Sequence, residues 1–488
     1  MALKEDRGGI HVLMVAFSSQ GHINPMLRFG KRLISKGLNV SLATTEYARH
    51  RMLKSSTISA STDDISINGV QLLFFSDGLS LDHDRKANLD HYMETLGKFG
   101  PIYLSKLIEE HYPINGPKKL CRIINNPFVP WAIDVAEKHG IPCSMLWIQP
   151  CSLYAIYYRF YNGLNSFPTL ANPEMSVELP GLPLLHTQDL PSFVLPSNPF
   201  GSFPRLFSEM FQSMKNYNRV LGNSFFELEE DAIDSMSELC PILPVGPLVP
   251  PSLLGENEQD HETGVEMWKA EDACLEWLNN QAPSSVVYIS FGSIVVLQAK
   301  QMDSIAKALK NSGRSFIWVV KQPDVPSTDG AGQLPPGFLE ETQNQGLVVS
   351  WSPQAKVLVH QAIACFITHC GWNSMLETIV AGVPVIAHPQ WTDQPTNAKL
   401  VVDVFRIGLR LRPNQDGIVS NEEIERCIRE VMEGPKSQEL RSNAKELKRA
   451  AREAVADGGS SDRNIQVFID EIIGNGIQDD PTIFEPEK

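Results

Sequence analysis

The chain has 488 residues, 42% of them apolar and 20% charged, with a formal net charge of −15. That length exceeds one ordinary hydrophobic core and favours two domains. The acidic balance argues against a nucleic-acid partner, because a phosphate backbone requires a basic face.

The polar start MALKEDRGG precedes IHVLMVAF (10–17), an apolar run too short for a secretory core or a membrane span. No later stretch reaches about 18 unbroken apolar residues, so a soluble, cytoplasmic protein is expected. The eight cysteines, Cys121, Cys143, Cys151, Cys240, Cys274, Cys365, Cys370 and Cys427, form no CxxC pair and several lie in apolar runs. They read as reduced, mostly buried thiols.

IHVLMVAF reads as a fully buried strand. SSQGHINP follows, and MLRFGKRLIS has helical spacing, with Pro25 suited to the first helical position. Gly37 ends that helix, and LNVSLATT (38–45) is the next strand. Such a βαβ unit implies a parallel sheet covered on both faces. The theme restarts at SSVVYISFG (284–292). The helix QMDSIAKALKNSG and the strands SFIWVVK, LVVSW, ACFITH and VPVIAHP follow. Between the two regions, 241–266 is first Pro-rich and then acidic, a linker composition. From about 420 the chain reads helical, and the tail IQDDPTIFEPEK reads as frayed. The expected architecture is α/β. Domain one is 1–250, completed by a C-terminal helix at about 461–474. The linker is 251–266, and domain two is 267–460.

Two doubly wound domains place a ligand in the cleft between them, at the carboxyl ends of the strands. THCGWNSMLE (368–377) is such a strand-to-helix loop. Asn373 and Ser374 fall at a helix start, whose unpaired N–H groups and positive dipole end attract anions. Capping alone accounts for Asn373 or Ser374. It does not account for His369 beside them or for Glu377 one turn on. A Glu there can accept the hydroxyls of a ribose. Trp351 and Gln354 follow another strand, and a Trp there can stack on a base or fill the core. Asp393 and Gln394, in PQWTDQP, can hold sugar hydroxyls or serve an ordinary turn. Together these residues suggest a nucleotide-sugar site.

From Trp351 to Gln394 the pattern WSPQ…HCGWNS…E…GVP…P.WTDQ resembles the donor-binding signature of plant family 1 UDP-glycosyltransferases. QGHINPM, VVYISFGS and GGSSDRN agree, so the resemblance covers essentially the whole chain. It implies a GT-B fold, a UDP-sugar in the C-terminal domain, an acceptor in the N-terminal domain and inversion at the anomeric carbon. It places uracil on Trp351 and Gln354 and phosphate on Ser293, His369, Asn373 and Ser374. It places ribose on Glu377 and the sugar on Trp372, Asp393 and Gln394. Gln394 at the last position goes with UDP-glucose as co-substrate. Ser352 stands where Ala is usual, at a contact made through the main chain. No cofactor or metal is implied, and a monomer is typical.

His22 in SSQGHINP points into the cleft, where a neutral imidazole can take a proton from an acceptor. The family's catalytic His falls on it. Its usual Asp partner is replaced by Asn126, which cannot stabilise an imidazolium by charge. A weak base suffices when the acceptor is already ionised. A carboxylic acid, of pKa about 4, is ionised at neutral pH, whereas a phenol, of pKa about 10, is not. The expected reaction is therefore glucosylation of a small aromatic or indolic acid to a 1-O-β-glucose ester. NNPFVPW, MLWIQPCSLYAIYYRFYNG, LPLL…DLPSF and ADGGSSDRNIQ resemble the subgroup that glucosylates indole-3-acetate and cinnamic or benzoic acids. Alternatives are O-glucosylation of a flavonoid or phenol, and C-glucosylation. Gln149 is a candidate contact to the sugar or acceptor carboxylate, or a buried hydrogen-bonded Gln. Two rivals are a metal-dependent transferase using Asp82 and Asp84, and a non-enzymatic binder, against which His22 argues. No GxGxxG follows either first strand, which disfavours a nicotinamide enzyme.

Overall fold

The computed structural model describes residues 9–55, 58, 65–255, 264–265, 267, 273–293, 295–321 and 330–478. The first sheet comprises β1 (Ile10–Val15), β2 (Asn39–Thr45), β3 (Ser66–Ile67), β4 (Val70–Phe75), β5 (Lys119–Asn125), β6 (Cys143–Trp147), β7 (Arg219–Gly222) and β8 (Ile242–Pro244). Their order is β3-β4-β2-β1-β5-β6-β7-β8, and only the β3–β4 pair is antiparallel. The second sheet comprises β9 (Val286–Ser290), β10 (Ser315–Val319), β11 (Gly346–Val349), β12 (Ile363–Thr368), β13 (Val385–Ala387) and β14 (Gly408–Arg410). It is parallel throughout, in the order β11-β10-β9-β12-β13-β14.

Continuous apolar strands are what a sheet buried on both faces requires. Along β1, Leu13 and Val15 enter one core, while Val12 and Met14 enter the core on the opposite face. Along β9, Val286 and Tyr288 divide in the same way from Val287 and Ile289. This is the two-Rossmann-domain architecture of the GT-B fold.

Six helices place the site: α1 (Gln20–Ser35), α2 (Cys151–Tyr161), α3 (Gln354–Val359), α4 (Trp372–Ala381), α5 (Gln394–Lys399) and α6 (Ser460–Gln478). At the far end of the chain, α6 returns to the first sheet. Its Ile465, Phe468, Ile469 and Ile472 share a core with Val12, Met14 and Phe29. Asn464 Nδ2 donates to Pro244 O at 2.8 Å, and Lys36 pairs with Asp462 at 2.7 Å.

Two sequence readings need correction. Helix α1 begins at Gln20, so Pro25 lies inside it and His22 sits in its first turn. The Pro-rich segment after 241 is not all linker. Ile242–Pro244 extends the first sheet beside β7, and Pro251–Leu254 forms a short helix packed into the second domain's core through Leu253. The expectation for the tail 479–488 lies outside the described residues, as does most of 256–266.

Candidate active site

The C-terminal half of the site is built where β9, β11, β12 and β13 end. His369 follows β12 and is wedged between two glycines. A Cβ on Gly292 would lie 2.7 Å from the His369 ring, and one on Gly371 would lie 2.5 Å from its Nε2. Gly292 also has φ +73°, a conformation costly for other residues. Cys370, between His369 and the start of α4, takes φ +67°, the kind of strain that clusters at ligand sites. Burial lowers the His369 pKa to about 4, opposed by a hydrogen bond with the Ser290 main chain. The ring is therefore neutral and oriented beside the unpaired N–H groups of the first turn of α4.

Behind it runs a polar chain. Tyr288 Oη and Ser352 Oγ share a hydrogen bond at 2.7 Å, and Tyr288 Oη donates to Gln354 Oε1 at 3.3 Å. Gln354 Nε2 then donates to Ser374 Oγ at 3.1 Å and to Glu377 Oε2 at 2.8 Å. The Tyr288 hydroxyl has one proton, so Ser352 is the donor of their bond. With Oε1 taken by a donor, the Gln354 amide is fixed with its NH2 toward Glu377. Trp351 is half-buried at the mouth of the same loop. Ser293, also half-buried, accepts at its carbonyl from Lys321 Nζ.

After β13, Thr392 takes φ +57° and Asp393 precedes α5. Asp393 accepts from Thr392 Oγ1 and Asn397 Nδ2, both at 2.8 Å. Burial raises its pKa, opposed by hydrogen bonds from Thr392, Asn397 and Gln149 among others. Gln394 Oε1 accepts from the N–H groups of Gln390 (3.0 Å) and Trp391 (3.3 Å), which leaves its Nε2 as the end available to a ligand. Trp372 departs from expectation. Its side chain is buried in the second domain's core, and its indole N–H donates to Asn223 O at 2.8 Å.

The N-terminal half centres on His22. Its ring packs edge-on against Phe17 and Phe128, at centroid distances of 5.1 and 4.6 Å. Burial lowers its pKa to about 4, and the neighbouring Asn126 side chain opposes that shift. The geometry of that neighbour is poor. Asn126 Oδ1 accepts from Phe128 N–H at 3.1 Å, while Asn126 Nδ2 and His22 Nδ1 are both buried without a hydrogen bond. Asn126 therefore stands beside His22 and acts on its titration, without a well-formed hydrogen bond to Nδ1. Gln149, at the end of β6, faces Asp393 across the cleft, with its Oε1 buried and unbonded.

The two halves are tied together. Asn373 Nδ2 donates to Gly21 O at 2.7 Å, Arg28 pairs with Glu377 at 3.8 Å, and Thr392 N–H donates to Ser192 Oγ at 2.9 Å. Sequence reasoning missed Arg28, Tyr288, Asn397 and the roles of Gly292 and Gly371. Tyr288 reads as strand core and Arg28 as the polar face of a helix; only the fold turns them toward the site. The Asp82–Asp84 pair lies in a surface loop, where Asp84 Oδ1 accepts from Lys86 N–H at 2.9 Å.

Residues 258–449 match the family described as UDP-glucoronosyl and UDP-glucosyl transferase. The chain is 48% identical over 469 residues to UDP-glycosyltransferase 84B1 of Arabidopsis thaliana, covering 95% of this chain and 97% of that one. It is 43% identical over 467 residues to gallate 1-beta-glucosyltransferase 84A24 of Punica granatum, covering 95% and 89%. Among solved structures it resembles Os79 from O. sativa in complex with UDP, with a TM-score of 0.83, 32% identity, and 94% and 100% of the two chains covered.

Proposed function

The chain belongs to the plant family 1 UDP-glycosyltransferases, and from that premise we propose that it moves glucose from UDP-glucose to the carboxylate of a small aromatic or indolic acid. The product is a 1-O-β-glucose ester. The observation that carries this reading is the pair His22–Asn126. Asn126 has no charge to offer an imidazolium, and its oxygen is already engaged by Phe128 N–H. With its pKa lowered to about 4, His22 is a weak base, poorly matched to a phenol. An acceptor that arrives as an anion needs no proton removed. The name of the Punica granatum relative, which acts on gallate, supports the same class.

In this reading the carboxylate oxygen attacks the anomeric carbon from the side opposite the leaving UDP, with inversion. His22, with Phe17 and Phe128 around it, orients that oxygen. The diphosphate lies over the first turn of α4, where Ser293, His369, Asn373 and Ser374 meet its growing charge. Trp351 and Gln354 hold uracil, and Glu377 accepts from the ribose hydroxyls. Asp393 and Gln394 bind glucose hydroxyls, the Gln394 NH2 as donor. Gln149 supports Asp393 from the acceptor side. This scheme assigns no step to a divalent cation, and turnover in EDTA is expected to equal that without it.

The test uses one acid that also carries a phenol, 4-hydroxybenzoate, beside its methyl ester. Masking the carboxylate is expected to remove nearly all turnover. Equal turnover of acid and methyl ester would reject the carboxylate as acceptor.

A further inference from the structure

Arg28 lies on α1, the helix that carries His22, and is almost completely buried at 8% exposure. A buried guanidinium needs acceptors for the N–H groups along its edges. Its Nη1 donates to Leu248 O at 3.1 Å. Its Nη2 lies 3.8 Å from Glu377 Oε1, and the two side chains are only 9% and 13% exposed. The other carboxylate oxygen, Oε2, accepts from Gln354 Nε2. Glu377 thus has a hydrogen bond on one oxygen from its own domain and an ion pair on the other from the opposite domain. A carboxylate can accept a vicinal diol on both oxygens only while it is ionised and fixed in rotation. Gln354 fixes one oxygen and adds no charge.

We propose that Arg28 is a positioning residue for nucleotide recognition: it holds the Glu377 carboxylate turned toward the ribose diol. It thereby ties donor binding to the helix that presents His22. This rests on the reading of Glu377 as the ribose contact. Leu248 O anchors the guanidinium, so the position does not depend on Glu377 alone.

The test compares UDP with 2′-deoxy-UDP as competitive inhibitors against UDP-glucose. The readout is the ratio of their inhibition constants, which a general loss of fold would not change. In the wild type the deoxy compound is expected to bind about tenfold or more weakly, the cost of an unmet charge-assisted hydrogen bond. Arg28→Gln is expected to cut that ratio at least threefold, with a smaller change in kcat. Arg28→Lys keeps the charge but cannot reach Leu248 O and Glu377 together, so an intermediate ratio is expected. Glu377→Gln separates the two ideas. If it leaves the ratio at the wild-type value, the ribose reading fails and the proposal fails with it. If Glu377→Gln collapses the ratio while folded Arg28→Gln, or Arg28→Lys should the former not fold, keeps it, the role of Arg28 is overturned and the ribose reading stands.

Discussion

Asn373 Nδ2 donates to Gly21 O at 2.7 Å, and Gly21 O is the carbonyl that Pro25, four residues on, has no N–H to serve. A proline inside a helix normally wastes the acceptor one turn back. Here the acceptor is filled from the other domain, by the residue at the start of α4. One hydrogen bond therefore joins the proposed diphosphate end of the site to the turn of α1 that carries His22.

Pro25→Ala restores a competing donor within α1. Helix stability should rise, since proline is the costlier residue in a helix interior. The interdomain bond should weaken, lowering kcat about three- to tenfold without lowering the thermal midpoint. Steady-state rates and a melting curve check this; an unchanged kcat would show that the bond does not matter to turnover.

How much of this was legible beforehand varies by residue. The strands were legible because strands buried on both faces read as unbroken apolar runs, as β1 and β9 do. The start of α1 was misplaced because Pro25 looks like a first-turn residue, and the acceptor it abandons is filled by a side chain some 350 positions away, invisible to local pattern. His369, Glu377 and Gln394 stood out as polar groups where none is needed for folding. Arg28 and Tyr288 did not, since a charge on an amphipathic helix and an aromatic on a strand are unremarkable until the partner is known. Ser352 was noted as a departure from the family, and the structure gives its hydroxyl a partner in Tyr288.

Gly371→Ala tests the wedge around His369. Gly371 has an ordinary negative φ of −61°, so alanine strains no backbone there. Its Cβ would still strike Nε2 at 2.5 Å. The expected result is a KM for UDP-glucose raised about tenfold or more, with circular dichroism unchanged. A normal KM would place His369 outside donor binding.

Asn126→Asp tests the base. A carboxylate beside His22 should raise its pKa and stabilise the imidazolium. Turnover of phenols should rise about tenfold or more, and turnover of carboxylates should fall through like-charge repulsion. Parallel kcat/KM values for a matched acid and phenol measure the switch; a uniform change in both would contradict it.

Acid should destabilise the fold. His22, His369 and His388 are each lowered to about 4 by burial, below the ordinary value of about 6.5. Between those values the unfolded chain binds protons that the folded chain does not, so stability falls as pH falls from about 6.5 to about 4 and is fully present above that window. The urea midpoint should drop from pH 7 to pH 5, and less so in His388→Leu. A flat midpoint would mean these rings titrate normally.

The central claim is that the acceptor oxygen belongs to a carboxylate. Its most direct test is to let the enzyme glucosylate 4-hydroxybenzoate with UDP-glucose, isolate the product, treat it with mild alkali and follow its mass. The account predicts loss of the hexose and return of the free acid, as an ester requires. A product that keeps its hexose through alkali would be a phenolic or carbon glucoside, and would contradict the role given to the His22–Asn126 pair.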